Sequence, residues 1–194
     1  MKLGTDVDGV TLDSGPLYHA AFKRLGLTAI PGQLQSWYFD KIYGTDNRTV
    51  DMILGKVAQI INVSLVPGAQ ILNKIVEFSH IELPIHFVTS RPAESWGSTK
   101  KALERHFSFP FLLSCVMSKG KYCNENELDF FVEDGPPHIK DIFWRSNTHI
   151  YVLDKPYNQA LDLPGYAGAL RVKNWSEILV NLARKGFCET IPRK

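Results

Sequence analysis

The chain predicts an α/β fold, a Rossmann-like parallel sheet with a small helical segment inserted after the first strand. Three observations carry this. Short apolar or mixed segments alternate with helical patterns over most of the chain, and such alternation produces parallel strands joined by helices. Each of these segments ends in polar or turn-forming residues, as strands do. One interval of more than fifty residues has no clear strand, and a structureless loop of that length does not fit inside a compact domain.

The elements follow in order. The first strand is read over 2–6. An inserted helical cap then spans 14–63, with helical patterns at 17–25 and 49–61 on either side of the aromatic stretch Trp37-Tyr38-Phe39-Asp40. The core is 1–13 together with 64–194. Pro67-Gly68 opens a helix that carries Ile71, Leu72, Ile75, Val76 and Phe78 on or near one face. Strands are read at 85–89, 111–117, 130–133 and 149–153, with a helix at 95–106. Asn174 reads as the N-cap of a helix over 175–185, and Gly186 as its stop. The insertion leaves and re-enters near the C-terminal end of strand one. That is the edge where open α/β sheets bind ligands, so the cap is placed to cover a site.

Bulk properties narrow the partners. A chain of 194 residues holds one core domain and a modest insertion. Hydrophobic content of 44% and charged content of 22% are ordinary for a globular protein. A net charge of +2 gives no reason to expect a macromolecular nucleic acid or a membrane surface as partner. Cys115, Cys123 and Cys188 are scattered, without a CxxC pair, which argues against a disulfide framework or a zinc cluster and fits a reducing compartment. The first residues run straight into an acidic strand without an apolar signal region, and no apolar run is long enough to span a bilayer. A cytoplasmic protein is expected.

The chemistry concentrates at strand ends. Asp6 and Asp8 stand two residues apart, so in an extended segment both project to one side. Gly9 then allows a sharp turn. A second acidic pair, Glu133-Asp134, ends another strand and is followed by Gly135-Pro136-Pro137. If the two strands are neighbours, up to four carboxylates converge. Like charges about 4 Å apart cost roughly 4 kcal/mol per pair at an effective dielectric near 20. Such a cluster needs a cation, and hard oxygen ligands suit Mg²⁺. Thr89-Ser90-Arg91 offers hydroxyl and amide donors for a phosphate, and Lys119-Gly120-Lys121 offers ammonium groups.

This ordered set resembles the haloacid dehalogenase superfamily of phosphatases, over nearly the whole chain. Asp6-Val7-Asp8-Gly9-Val10 is similar to its first motif, Phe87-Val88-Thr89 to its second, Lys121 to its third and Glu133-Asp134 to its fourth. Lys121 is preferred over Lys119 for the third motif because it directly precedes the stretch leading into Phe130. In related sequences the fourth motif is often two Asp residues followed by Arg; here it is Glu133-Asp134-Gly135. The stretches Asp154-Lys155-Pro156-Tyr157-Asn158 and Arg171-Val172-Lys173-Asn174-Trp175 resemble the 5'(3')-deoxyribonucleotidase-type branch.

The resemblance implies a phosphomonoester hydrolase working through an aspartyl-phosphate, with Mg²⁺ as cofactor and a small phosphorylated metabolite as substrate, a 5'-nucleotide being the more specific expectation. Asp6 would be the nucleophile and Asp8 the acid/base. Asp6, the Asp8 carbonyl and Asp134 would ligate the metal, with Glu133 behind them or acting through water. Gly9, Val10, Thr89, Ser90 and Lys121 would hold phosphate. Trp37, Tyr38, Phe39 and Tyr43 read mainly as the cap's own small core, with base stacking as the functional alternative. His86 and Asp154 read as structural, and Arg91-Pro92 as loop-building. His138 lies near the acidic pair, but the resemblance gives it no role. A phosphatase or phosphomutase for another metabolite, and a non-catalytic phosphate-binding module, are the competing readings.

Overall fold

The computed structural model describes residues 1–166 and 168–187; Cys188 lies outside them. In chain order the elements are β1 (Lys2–Thr5), α1 (Gly15–Arg24), α2 (Phe39–Tyr43), α3 (Asn47–Val57), α4 (Ile71–Phe78), β2 (Glu82–Thr89) and α5 (Trp96–Glu104). There follow β3 (Phe111–Cys115), α6 (Lys119–Glu125), β4 (Phe130–Glu133), α7 (Pro136–Arg145), β5 (His149–Leu153), β6 (Ala169–Val172) and α8 (Trp175–Arg184). The strands form one six-stranded parallel sheet in the order β3-β2-β1-β4-β5-β6.

Residue alternation puts helices on both faces. In β4, Phe130 and Val132 join the cluster that holds Leu72 of α4 and Trp175 and Ile178 of α8. Phe131 points the other way, into a cluster with Cys123 of α6 and Ile139 and Ile142 of α7. Strands buried on both sides read as continuous apolar runs rather than alternating ones, and β4 and β5 do so. Gly4 in β1 makes the centre tight. A Cβ there would sit 2.5 Å from a Phe131 ring carbon.

Helices α1, α2 and α3 all lie between β1 and α4 and build a separate cluster around Phe22, Ile42, Tyr43 and Ile53. Phe22 stacks on Tyr43 with ring centroids 4.2 Å apart and on Phe39 at 5.3 Å. Phe39 and Tyr43 therefore serve this local core. The chain crosses into and out of the insertion side by side: the Asp13 amide donates to the Ser64 carbonyl at 2.8 Å and the Val66 amide to Thr11 at 2.9 Å.

Several boundaries differ from expectation. β1 stops at Thr5, so Asp6 opens the turn rather than closing the strand. β3 stops at Cys115, because Ser118 starts α6 as an N-cap, its hydroxyl accepting from the Lys121 amide. The Gly135-Pro136-Pro137 stretch starts helix α7, with proline at the first turn, where the missing amide hydrogen costs nothing. β6 adds a sixth strand at the edge beside β5. Cys115 and Cys123 are free thiols among the described residues. Among the described residues, no helix is long and apolar enough to cross a membrane.

Candidate active site

The strand order reverses between β1 and β4, and ligands bind open α/β sheets outside the carboxyl ends of strands at such a point. The register Gly4↔Phe131 and Thr5↔Val132 sets these strands side by side. The Asp6 amide continues the ladder to the Val132 carbonyl at 2.9 Å. Asp6 and the pair Glu133-Asp134 thus emerge together. The Thr11 hydroxyl donates to the Asp6 carbonyl at 2.7 Å, and the Val7 amide to Asp6 Oδ1 at 2.7 Å. Gly9 has φ 76°, and a Cβ there would lie 2.3 Å from Asp134 Oδ2. Both conformation and space demand glycine at this position.

Asp6, Glu133 and Asp134 are buried, and each offers a carboxylate oxygen within 4.8 Å of the others. Lys119 Nζ lies 2.7 Å from Asp6 Oδ1 and 2.7 Å from Glu133 Oε2. The other Glu133 oxygen accepts from the amides of Asp134 and Gly135 at 3.0 and 2.9 Å, so both Glu133 oxygens have partners. Burial, then the Glu133 charge, pushes the Asp6 carboxyl up to about 7, against the pull of Lys119. Burial and the charges of Glu133 and Asp6 raise Asp134 well above the carboxylate range. Burial opposes charge on Lys119 as well, but Asp6 and Glu133 outweigh it and hold the ammonium protonated.

Asp134 carries the clearest sign of a missing partner. Its Oδ2 accepts from the Tyr157 hydroxyl at 2.5 Å, while its buried Oδ1 has no hydrogen-bond partner among the described residues. A buried polar atom left in this way costs about 1–3 kcal/mol, and more when charged. Oxygen-only donors around an orphaned carboxylate oxygen fit a hard divalent cation such as Mg²⁺. Asp6, Glu133 and Asp134 together could hold it, although Lys119 already pairs with one oxygen each of Asp6 and Glu133.

The lysine at the centre is Lys119, not Lys121. Lys121 is mostly exposed and pairs with Glu125 one turn along α6 at 3.6 Å. Residues two apart on a helix point about 200° apart, so only one of the two can face the carboxylates. The close packing of α6 on α7 decides which. A Cβ on Gly120 would sit 2.2 Å from the Asp141 carbonyl oxygen, and Asp141 accepts from the Gly120 amide at 2.8 Å and from Ser118 at 2.9 Å.

Asp8 faces a different set of partners. Arg91 donates to it twice, Nε to Oδ2 at 2.8 Å and Nη2 to Oδ1 at 2.7 Å. Ser14 and Tyr18, at the start of the insertion, donate to Oδ1 at 2.5 and 3.2 Å. Burial works against the charge, but Arg91 and these hydrogen bonds outweigh it and hold the carboxyl below the ordinary range. Arg91 also reaches Thr99 at 2.9 Å and the Ala58 carbonyl at 3.4 Å. It is more than the loop-building residue the sequence suggested.

The remaining candidates divide. Thr89 ends β2 beside β1, and its hydroxyl oxygen accepts from the Arg91 amide at 3.1 Å. The Gly9 amide is spent within the loop on the Leu12 carbonyl at 2.9 Å, and the Val10 carbonyl accepts from the Trp175 indole at 2.9 Å. Ser90 is exposed, 3.4 Å from His138 Nε2. His86 bonds Tyr122 at 2.9 Å, as a structural residue should. Asp154 accepts from Arg171, which also holds Asn158; the Asn158 amide then donates to the Asp134 carbonyl at 2.9 Å.

Above these groups lies a cavity of about 390 Å³. Asp8, Gly9, Ser90, His138 and Tyr157 line it from the sheet side. Trp37 lines it from the insertion and packs edge-on against Tyr157 at 5.1 Å and His138 at 6.2 Å. Only glycine fits under that indole, because a Cβ at Gly135 would lie 2.8 Å from it. The aromatic stretch therefore splits: Phe39 packs inward, Trp37 faces the site, and Tyr38 is exposed beneath Lys41, 4.8 Å from its ring.

Solved structures with this architecture come from several organisms. A Thermotoga maritima protein provisionally named a beta-phosphoglucomutase matches with TM-score 0.59 and 18% identity, over 95% of this chain and 99% of that one. A Lactobacillus plantarum protein provisionally named a phosphoglycolate phosphatase matches with TM-score 0.57 and 14% identity, over 92% and 97%. A HAD hydrolase of family IA, variant 3, from Entamoeba histolytica matches with TM-score 0.52 and 14% identity, over 93% and 96%. The fold is haloacid dehalogenase-like. No protein-family model and no curated protein sequence matches the chain. Within the haloacid dehalogenase-like fold, Asp6, Lys119 and Asp134 occupy adjoining tips of the sheet and its flanking helix.

Proposed function

We propose that the chain is a Mg²⁺-dependent phosphomonoester hydrolase that forms an aspartyl-phosphate on Asp6, beneath a helical cap formed by residues 14–63. The observation that carries this reading is the pairing of Asp6 with Lys119 beside a buried Asp134 oxygen that lacks a partner among the described residues. Asp6 attacks phosphorus, and the ester oxygen leaves. Lys119 offsets the repulsion between the carboxylate and the phosphate dianion. Thr89 and Ser90 stand at the tip of β2 as donors to phosphate oxygens. Mg²⁺, when bound by Asp6 and Asp134, supplies fixed positive charge that stabilises the charge developing on those oxygens.

Asp8 donates a proton to the leaving ester oxygen and then takes one from the water that attacks the aspartyl-phosphate, which breaks the bond to Asp6, releases inorganic phosphate and restores its carboxylate. Asp8 must leave the Arg91 fork to do so, and Ser14 and Tyr18 of the cap hold it there too. The cavity lies in the ~300–1,000 Å³ range of small-molecule sites, and Trp37 offers a flat surface, which supports a 5'-nucleotide as the specific substrate. Neighbours named for sugar-phosphate and glycolate-phosphate chemistry support another small metabolite instead.

The test uses an aryl phosphate with and without Mg²⁺. Asp6→Asn should abolish turnover while circular dichroism and the unfolding transition stay native. Retained turnover in that variant would sink the assignment, and failure of the native protein to hydrolyse any ester would favour a binding module.

A further inference from the structure

We infer that the cavity selects phosphomonoesters whose leaving group is uncharged and partly aromatic, and rejects leaving groups with a second anionic group. This rests on the phosphatase reading above and specifies its substrate class. The charged side chains that line the cavity are Asp8 and Asp40, both carboxylates; among the described residues no lysine or arginine lines it. Three of the cations nearby are engaged elsewhere, and Lys155, close enough to lower the pKa of Asp134, does not line the cavity. Arg91 is spent on Asp8 and Thr99. Lys119 is spent on Asp6 and Glu133. Lys41 lies over the exposed Tyr38 ring.

The rest of the wall is apolar or neutral. Leu34, Trp37, Ile42, Val50 and Leu54 supply apolar surface from the insertion. Among the wall's neutral polar groups is His19. Its Nδ1 pairs with the Tyr43 hydroxyl at 2.6 Å, which leaves Nε2 for a hydroxyl or carbonyl of the ligand. Burial lowers the His19 pKa and so keeps the ring uncharged. An anionic group entering this space loses water, finds no lysine or arginine on the wall among the described residues and meets the Asp40 carboxylate, the Asp8 charge being offset by Arg91, so it is disfavoured.

The experiment compares two esters of equal shape, 4-carbamoylphenyl phosphate and 4-carboxyphenyl phosphate, with the full chain and Mg²⁺. The expected kcat/KM is about 100-fold higher for the carbamoyl ester, the scale on which buried, unpaired polar groups discriminate. A ratio under about tenfold overturns the inference and leaves the phosphatase reading standing. No turnover of either ester overturns both. Asn47→Lys places an ammonium on the exposed start of α3, at a residue that lines the cavity, and should shrink the ratio at least tenfold. An unchanged ratio in that variant, with its fold retained, would remove the discrimination from this cavity.

Discussion

Arg91 holds Asp8 by two parallel bonds of 2.8 and 2.7 Å, with the guanidinium almost wholly buried. The pair joins the tip of β2 to the loop after β1, and it keeps a carboxylate in place that the proposed chemistry needs as an acid. Removing one partner of a buried pair leaves an uncompensated charge, at a cost of about 3–5 kcal/mol. Asp8 retains some exposure, so Arg91→Met should destabilise by about 3 kcal/mol in urea unfolding. Adding Asp8→Asn should recover part of that loss, and a double-mutant cycle measures the coupling.

The two lysines of α6 separate cleanly. Lys119→Met leaves Asp6, Glu133 and Asp134 facing one another without their ammonium. Turnover of an aryl phosphate should fall at least ~10³-fold, the scale of removing a group that stabilises transition-state charge. Lys121→Met removes an exposed pair with Glu125, worth about 0.5 kcal/mol or less, and turnover should stay within about twofold.

Magnesium should bind the folded chain more tightly than the unfolded one. At a concentration 100 times Kd it would add about 2.7 kcal/mol of stability, seen as a rise in Tm that a chelator reverses. Asp134→Asn removes the orphaned oxygen's charge and should abolish the rise. A full rise in that variant would exclude Asp134 as a ligand.

His138 gives a pH signature. Burial, reinforced by Lys119, lowers its pKa from 6.5 to about 4. The unfolded chain then binds a proton between these values and the folded chain does not, so stability is present above pH 6.5 and is lost as pH falls toward 4. The integrated effect is up to about 3 kcal/mol, at about 1.4 kcal/mol per pKa unit. Asp6 runs the opposite way, because its carboxyl is pushed up. The difference in unfolding free energy between native protein and His138→Gln, followed from pH 7.5 to 4, isolates the histidine; parallel curves would count against it.

The parts of this fold legible in the sequence are those where one residue type permits one structure. Phe130–Glu133 and His149–Leu153 read as strands because apolar and β-branched runs of that length have few alternatives. Asn174 reads as a cap because Asn favours the position just before a helical pattern, and its side chain does accept from the Glu177 amide. The rest depends on contacts distant in the chain. β6 is four residues with an arginine inside it, and carries no period. α6 is one short helix with glycine second, so nothing local says which of its lysines faces inward. Arg91 meets Asp8 across 83 positions, and only the sheet order brings them together. Tyr157 and Asn158 had a signal in the stretch after β5, but their service to Asp134 required knowing that β5 lies next to β4.

The crossings at Asp13–Ser64 and Thr11–Val66 bring the two ends of the α1–α3 segment side by side. None of the sheet strands and none of their register pairs lies within that segment. The same geometry makes the segment exchangeable for another of different length and lining. On the proposed reading, substrate choice and bond-breaking chemistry would then be separately heritable, one carried by a cassette and the other by the sheet.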